Sequence, residues 1–80
     1  MSEEESWVEF IAHTLEARFG THALNAAEFG SYLGMSPTMV GRRIRRGELP
    51  GVSFGSGSYL IPVDSIAIWE VQLSKAEAEK

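Results

Sequence analysis

Residues 25–50 run NAAEFGSYLGMSPTMVGRRIRRGELP, and the order of caps and breaks in this stretch decides the fold. Asn25 stands three residues before Glu28, the spacing of a capping box, and predicts a short helix over 26–33. Phe29 and Leu33 face inward on it, with Tyr32 beside them. Gly30 falls in the helix interior, where glycine costs about 1 kcal/mol against alanine, so its presence points to a helix crossing close by. Gly34 is free to take positive φ and end the helix. Ser36 then caps a second helix with Pro37 at its first position. That helix is expected from Pro37 to Arg46, with Gly47 closing it. Two short helices joined by a glycine-containing turn make a helix-turn-helix pattern.

On the second helix, Val40 and Ile44 are four apart and face the core, with Met39 beside them. Pro37, Thr38, Gly41, Arg42 and Arg45 fall largely on the other side. This exposed side is small at its start and arginine-bearing after it. An arginine fork matches phosphate oxygens and also grips O6 and N7 of guanine in a major groove. Gly41 has two readings: it keeps the front of the helix slim enough to enter a groove, or it is a tolerated flaw. Arg43 and Arg46 lie nearer the flanks, placed for backbone phosphate or for solvent.

Charge distribution sharpens this. The chain has 80 residues and a net charge of −4, which taken alone argues against nucleic acid. Residues 36–62, however, hold four arginines against the single acid Glu48, a net +3. The other 53 residues hold three cations against ten acids, a net −7. A local field of this kind steers a partner even where the whole-chain sum has the opposite sign. The bland alternative is a solvated helix face.

Before the helix pair, residues 2–19 predict an amphipathic helix. Either Ser2 with Glu5 or Ser6 with Glu9 would cap it, early glutamates suit its N-terminus, and Gly20 stops it. Trp7, Phe10, Ile11, Leu15 and Phe19 recur at helical spacing, a stripe for the core or for contact with a second copy through Trp7, Phe10 and Ile11. After the pair, 52–54 and 58–61 flank Gly55-Ser56-Gly57, a β-hairpin signal that Pro62 ends. Asp64 then caps a last helix carrying Ile66, Trp69 and Leu73, with Ile68 and Val71 placed to meet the first helix. Residues 74–80 are polar and expected to fray. The expectation is one domain over 1–80, with the helix-turn-helix core over 24–73.

No chemistry for catalysis is assembled. With 0 cysteines there is no disulfide, thiolate metal site or thiol nucleophile. His13 and His22 lack clustered acids and read as surface residues. Gly55 and Gly57 lack the spacing and lysine of a phosphate loop. The expectation is a non-enzyme without cofactor or metal. No apolar run approaches the length of a membrane span, and Glu3, Glu4 and Glu5 oppose a signal peptide, so no membrane partner is expected.

The run Asn25–Trp69 resembles the excisionase and MerR-type winged helix-turn-helix DNA-binding domains. The resemblance rests on Leu33-Gly34-Met35-Ser36, then Val40, Arg42, Ile44, Arg45 and Arg46, then Gly47-Glu48-Leu49-Pro50. Gly55, Gly57, Tyr59, Ile61, Pro62, Asp64 and Trp69 complete the order. It implies a mainly α fold with a small β-hairpin, a winged helix-turn-helix with an added N-terminal amphipathic helix. It also implies that the arginine-rich helix reads the major groove of double-stranded DNA while the hairpin serves as a wing. Small members are often phage excisionases, recombination directionality factors that bend attachment-site DNA beside integrase in the bacterial cytoplasm. Others are small transcription regulators. The family's wing usually carries Arg or Lys, whereas Ser53, Ser58 and Leu60 stand here, so Ser56 and Ser58 would offer hydroxyls and backbone N–H groups instead. The expected DNA-binding set is Ser36, Pro37, Thr38, Gly41, Arg42, Arg43, Arg45, Arg46, Ser56 and Ser58. A protein-interaction module that has lost DNA binding is the competing reading, motivated by the uncharged wing and the acidic remainder.

Overall fold

The computed structural model describes residues 2–78. The first helix, α1, spans Glu3–Phe19. Ser2 is its N-cap, its hydroxyl accepting from the Glu5 amide, and Gly20 ends it in the left-handed conformation at φ 68°. Of the two capping arrangements open in the sequence, the structure uses Ser2.

A two-residue strand, β1 (Ala23–Leu24), follows. Helix α2 spans Ala26–Leu33, with the full capping box in place: the Glu28 amide donates to Asn25 Oδ1 at 2.7 Å, and the Asn25 amide donates to Glu28 Oε1 at 3.0 Å. Gly34 takes φ 77° and its amide donates to the Gly30 carbonyl, which also accepts from Met35. Helix α3 spans Pro37–Arg45, capped by Ser36, whose hydroxyl accepts from the Met39 amide. Arg46 is its C-cap and Gly47 follows at φ 75°.

The hairpin consists of β2 (Val52–Ser53) and β3 (Tyr59–Pro62), antiparallel, with Val52 opposite Leu60 and Ser53 opposite Tyr59. Ser56 and Gly57 both take positive φ, 39° and 79°, and the Ser58 amide closes the turn on the Gly55 carbonyl. That mirror-image backbone suits the twist of a tight hairpin. The hairpin is not alone. Strand β1 pairs with the other side of β3, Leu24 opposite Ile61, giving a three-stranded antiparallel sheet in the order β1-β3-β2.

Helix α4 spans Val63–Ala78 and corrects two expectations. Asp64 is not the cap; it is the second helical residue, an acid in the first turn where the helix dipole favours it. Ser74 to Ala78 continue the helix rather than leaving it, while 79–80 lie outside the described residues. One support for the longer helix is an ion pair of Lys75 with Glu4 of α1 at 2.6 Å.

Over the described residues the architecture is therefore mainly helical, with four helices and one small sheet. Helix α1 packs along α4, α2 packs against α3, and β3 reaches both α2 and α4. The core closes on Leu15, Leu24, Phe29, Val40, Ile61, Val63 and Ile66, all essentially without solvent contact. Each such side chain contributes about 1.5–3 kcal/mol on burial. Ala12, Ile44, Leu49 and Ala67 complete it. Trp69 packs edge-on to Phe29, and the Tyr32 hydroxyl donates to Glu70 at 2.5 Å, tying α2 to α4. Burial, with help from the Glu70 carboxylate, pushes the Tyr32 phenol up to about 12.

The aromatic stripe of α1 divides. Leu15 is buried, and Ile11 and Phe19 are half-buried. Trp7 and Phe10 stay exposed, edge to face with one another. Leu73 of α4, expected on the core stripe, is exposed as well.

Candidate nucleic-acid interface

Helix α3 is held from behind and bare in front. Val40, Gly41 and Ile44 are buried. Ser36, Pro37, Thr38, Arg42, Arg45 and Arg46 are exposed, and Arg43 is half-buried. Arg42, Arg45 and Arg46 are spaced by three and four residues, which places their guanidiniums on one helix face. Arg43, expected at the flank, is half-buried, and its carbonyl accepts from the Glu48 amide as the chain turns away. Arg46, expected at the flank, is exposed like the two front arginines. Among the described residues it is the one of the four that pairs with an acid, Glu48 at 3.8 Å on the surface.

Gly41 corrects the groove-facing expectation. It is buried, and a Cβ built on it would lie 2.7 Å from the Tyr59 ring. The glycine admits the aromatic ring of β3 against the helix backbone rather than thinning the surface toward a ligand. Sequence did carry a signal for this. Gly41 is one residue from Val40 and three from Ile44, which sets it beside the apolar stripe on a helical wheel.

Tyr59 then reaches past Gly41 to the arginine face. The Arg45 guanidinium donates from Nη1 to the Tyr59 hydroxyl and lies 6.0 Å from the ring centre. A guanidinium over an aromatic face adds a cation–π attraction of about 0.5–1 kcal/mol at exposed sites. The pair fixes one arginine of the face and couples the sheet to α3. Tyr59 was absent from the expected site because 14 residues separate it from Arg45. Gly51, at φ 143°, permits the second contact between these elements: its own Cβ would press on Ile44 and Ile61 at 3.0 Å.

The hairpin tip carries Ser56 and Ser58, both exposed, as expected. Residues 50–63 contain no charged side chain. They expose Val52, Leu60 and above all Phe54, 62% accessible, which is expected in a strand over 52–54 but lies just past the end of β2. The hairpin therefore offers hydroxyls, backbone amides and apolar surface.

The histidines stand apart from this face. His13 and His22 are exposed, and His22 Nδ1 lies 2.8 Å from Glu16 Oε1, a hydrogen bond that raises the His22 pKa above its ordinary value. Among the described residues no three His, Cys, Asp or Glu side chains gather as metal ligands, and no helix is long and apolar enough to cross a membrane. Comparison with protein-family models, with curated proteins and with solved structures found no match to this chain.

Proposed function

We propose that this chain is a sequence-specific double-stranded DNA-binding protein of winged helix-turn-helix type. In this reading α3 enters the major groove and the β2–β3 hairpin lies as a wing along the flanking backbone. The observation that carries the reading is the arginine face of α3. Arg42, Arg45 and Arg46 project from one side of a capped helix whose other side is anchored in the core. The nine residues of α3 span about 13.5 Å at 1.5 Å per residue, and a helix about 10–12 Å across with its side chains fits a major groove about 12 Å wide. Arg45, steadied by Tyr59, is the candidate for base contact, and Arg42, Arg43 and Arg46 are candidates for phosphate. Thr38 and the Ser36–Pro37 turn leave the leading end of the helix small. Ser56 and Ser58 supply wing contacts to the sugar-phosphate backbone, and Phe54 supplies an apolar one.

The cation count implies weak binding by one copy. Three exposed arginines release few counterions, giving a salt slope near −2.7, or about −3.6 if Arg43 turns outward to join them. Useful occupancy then needs neighbouring sites, a dimer or a protein partner. This favours an architectural role of the excisionase type, binding and bending attachment-site DNA beside integrase, over a free-standing repressor.

Footprinting on the DNA flanking the protein's own gene locates the site, and titration of that site tests the roles. Arg42→Ala and Arg45→Ala should each weaken binding by about 5- to 150-fold, the equivalent of 1–3 kcal/mol per contact. Each should also make the salt slope shallower by about 1 if the contact is to phosphate. Unchanged affinity in a folded double variant would refute the DNA reading. A single tight, non-cooperative 1:1 complex at physiological salt would refute the weak, assisted mode.

A further inference from the structure

A cleft of about 740 Å³ runs between α1 and α4, with Leu33 of α2 also lining it. Its apolar wall is Trp7 and Ile11 on one side and Trp69 and Leu73 on the other. Trp7 and Leu73 are 54% and 46% accessible, and Phe10, edge-on to Trp7, extends the apolar surface outward at 63%. No residue of α3 or of the hairpin lines it, so it stands separate from the arginine face. A chain this small has little apolar surface to spare, and contiguous exposed aromatic surface on such a protein marks an interaction site.

The rim says what fits. Glu3, Glu4 and Glu70 border the cleft against the single cation Lys75, which already pairs with Glu4. Glu70, at the same rim, also accepts the Tyr32 hydrogen bond. A second copy docked face to face would bring the same patch onto itself, setting six carboxylates against two ammoniums. Like charges so placed suppress that pairing. A partner with an apolar stripe and a cationic flank meets both features at once.

We propose that the α1–α4 cleft is a docking groove for a cationic amphipathic helix of another protein, with apolar residues at helical spacing against Trp7, Trp69 and Leu73 and lysines or arginines over Glu3, Glu4 and Glu70. This helix-in-groove mode is read through anchors at i, i+3, i+4 and i+7. It leaves α3 uncovered, so occupancy of the groove and of DNA are compatible.

The test uses the full chain and three designed helical peptides. One has a leucine stripe with lysines, one the same stripe with glutamates, and one the same lysines with the stripe replaced by glutamine. Tryptophan fluorescence and calorimetry report binding. The leucine–lysine peptide is expected to bind saturably 1:1, at least tenfold tighter than either control. Trp7→Ala should weaken it about tenfold or more. Glu3→Gln with Glu4→Gln should weaken it several-fold and flatten its salt dependence, while Glu48→Gln, beside α3, should leave it unchanged. DNA affinity should be untouched by Trp7→Ala, so failure here and failure of the DNA reading are distinguishable. Equal binding of the glutamate peptide, equal binding of the stripeless peptide, or full binding by folded Trp7→Ala overturns the proposal. So does a dimer in sedimentation that Trp7→Ala dissolves, because the groove is then a self-interface.

Discussion

Gly30 gives the sharpest test of how the helix pair is built. It sits in the interior of α2, where replacing glycine by alanine ordinarily gains about 1 kcal/mol through helix propensity. Here a Cβ would lie 2.5 Å from the Met35 carbonyl oxygen and 3.4 Å from Val40 Cγ2. An ordinary carbon–oxygen contact is about 3.3–3.6 Å, so the α2–α3 turn would have to retreat by roughly 0.8 Å. The obstacle is backbone, which no rotamer change relieves. The retreat strains two hydrogen bonds into the Gly30 carbonyl, from Gly34 at 2.7 Å and Met35 at 2.9 Å, each worth about 1 kcal/mol. Overpacking adds about 1–3 kcal/mol. After subtracting the propensity gain, Gly30→Ala should destabilise by about 2 kcal/mol. For a domain of this size that lowers the melting temperature by about 8–16 °C. Urea and thermal unfolding followed by circular dichroism measure it, with Ser31→Ala, exposed in the same helix, as a control expected to change little or gain slightly. A Gly30→Ala midpoint equal to or above that of the parent would refute the steric reasoning.

The remaining predictions concern neighbouring features. Gly41→Ala should destabilise by about 1 kcal/mol in the parent, because the new methyl displaces the Tyr59 ring, yet should become stabilising by up to about 1 kcal/mol in a Tyr59→Ala background; a urea double-mutant cycle reads the change of sign. Asn25→Ala removes half of the capping box and should cost about 1 kcal/mol in the same assay. For His22, the hydrogen bond and charge of Glu16 raise the folded-state pKa. The contribution of the pair is therefore fully present below the unfolded value of 6.5 and is lost as pH rises through the raised folded value. An NMR titration should place His22 above 6.5 in the parent and return it toward 6.5 in Glu16→Gln.

The features legible in the sequence are those whose partners lie within about one helical turn. Ser2, Asn25 and Ser36 each satisfy an amide three residues ahead, so the residue type and the spacing together announce the helix start. Gly20, Gly34 and Gly47 take the positive φ that their places after helical runs imply. Most of the arginine face follows from the same periodicity, since burying Val40 and Ile44 leaves Arg42 and Arg45 outside, while Arg46, expected at the flank, is exposed with them. Tertiary structure decided the rest. Strand β1 is two residues long and exists because β3 has a free edge beside it, a pairing that Ala23-Leu24 has no local pattern to signal. Asp64 became a helical residue because the Val63 amide pairs with the His22 carbonyl, extending the β1–β3 ladder into the helix start. Trp7 and Phe10 share the helical period of Leu15, but a period states only which side a residue faces. Whether something lies on that side depends on where other elements end, and α4 and the sheet leave these two uncovered. Gly41 is the clearest case: its place beside the stripe was local, but the ring that fills it arrives from β3, 18 residues away in sequence, and brings the Tyr59 hydroxyl to Arg45. The sequence alone determined the helices and the charge they display. The fold determined which small residues yield to a neighbour and which arginine is held in place, because those depend on atoms that only chain closure brings within contact.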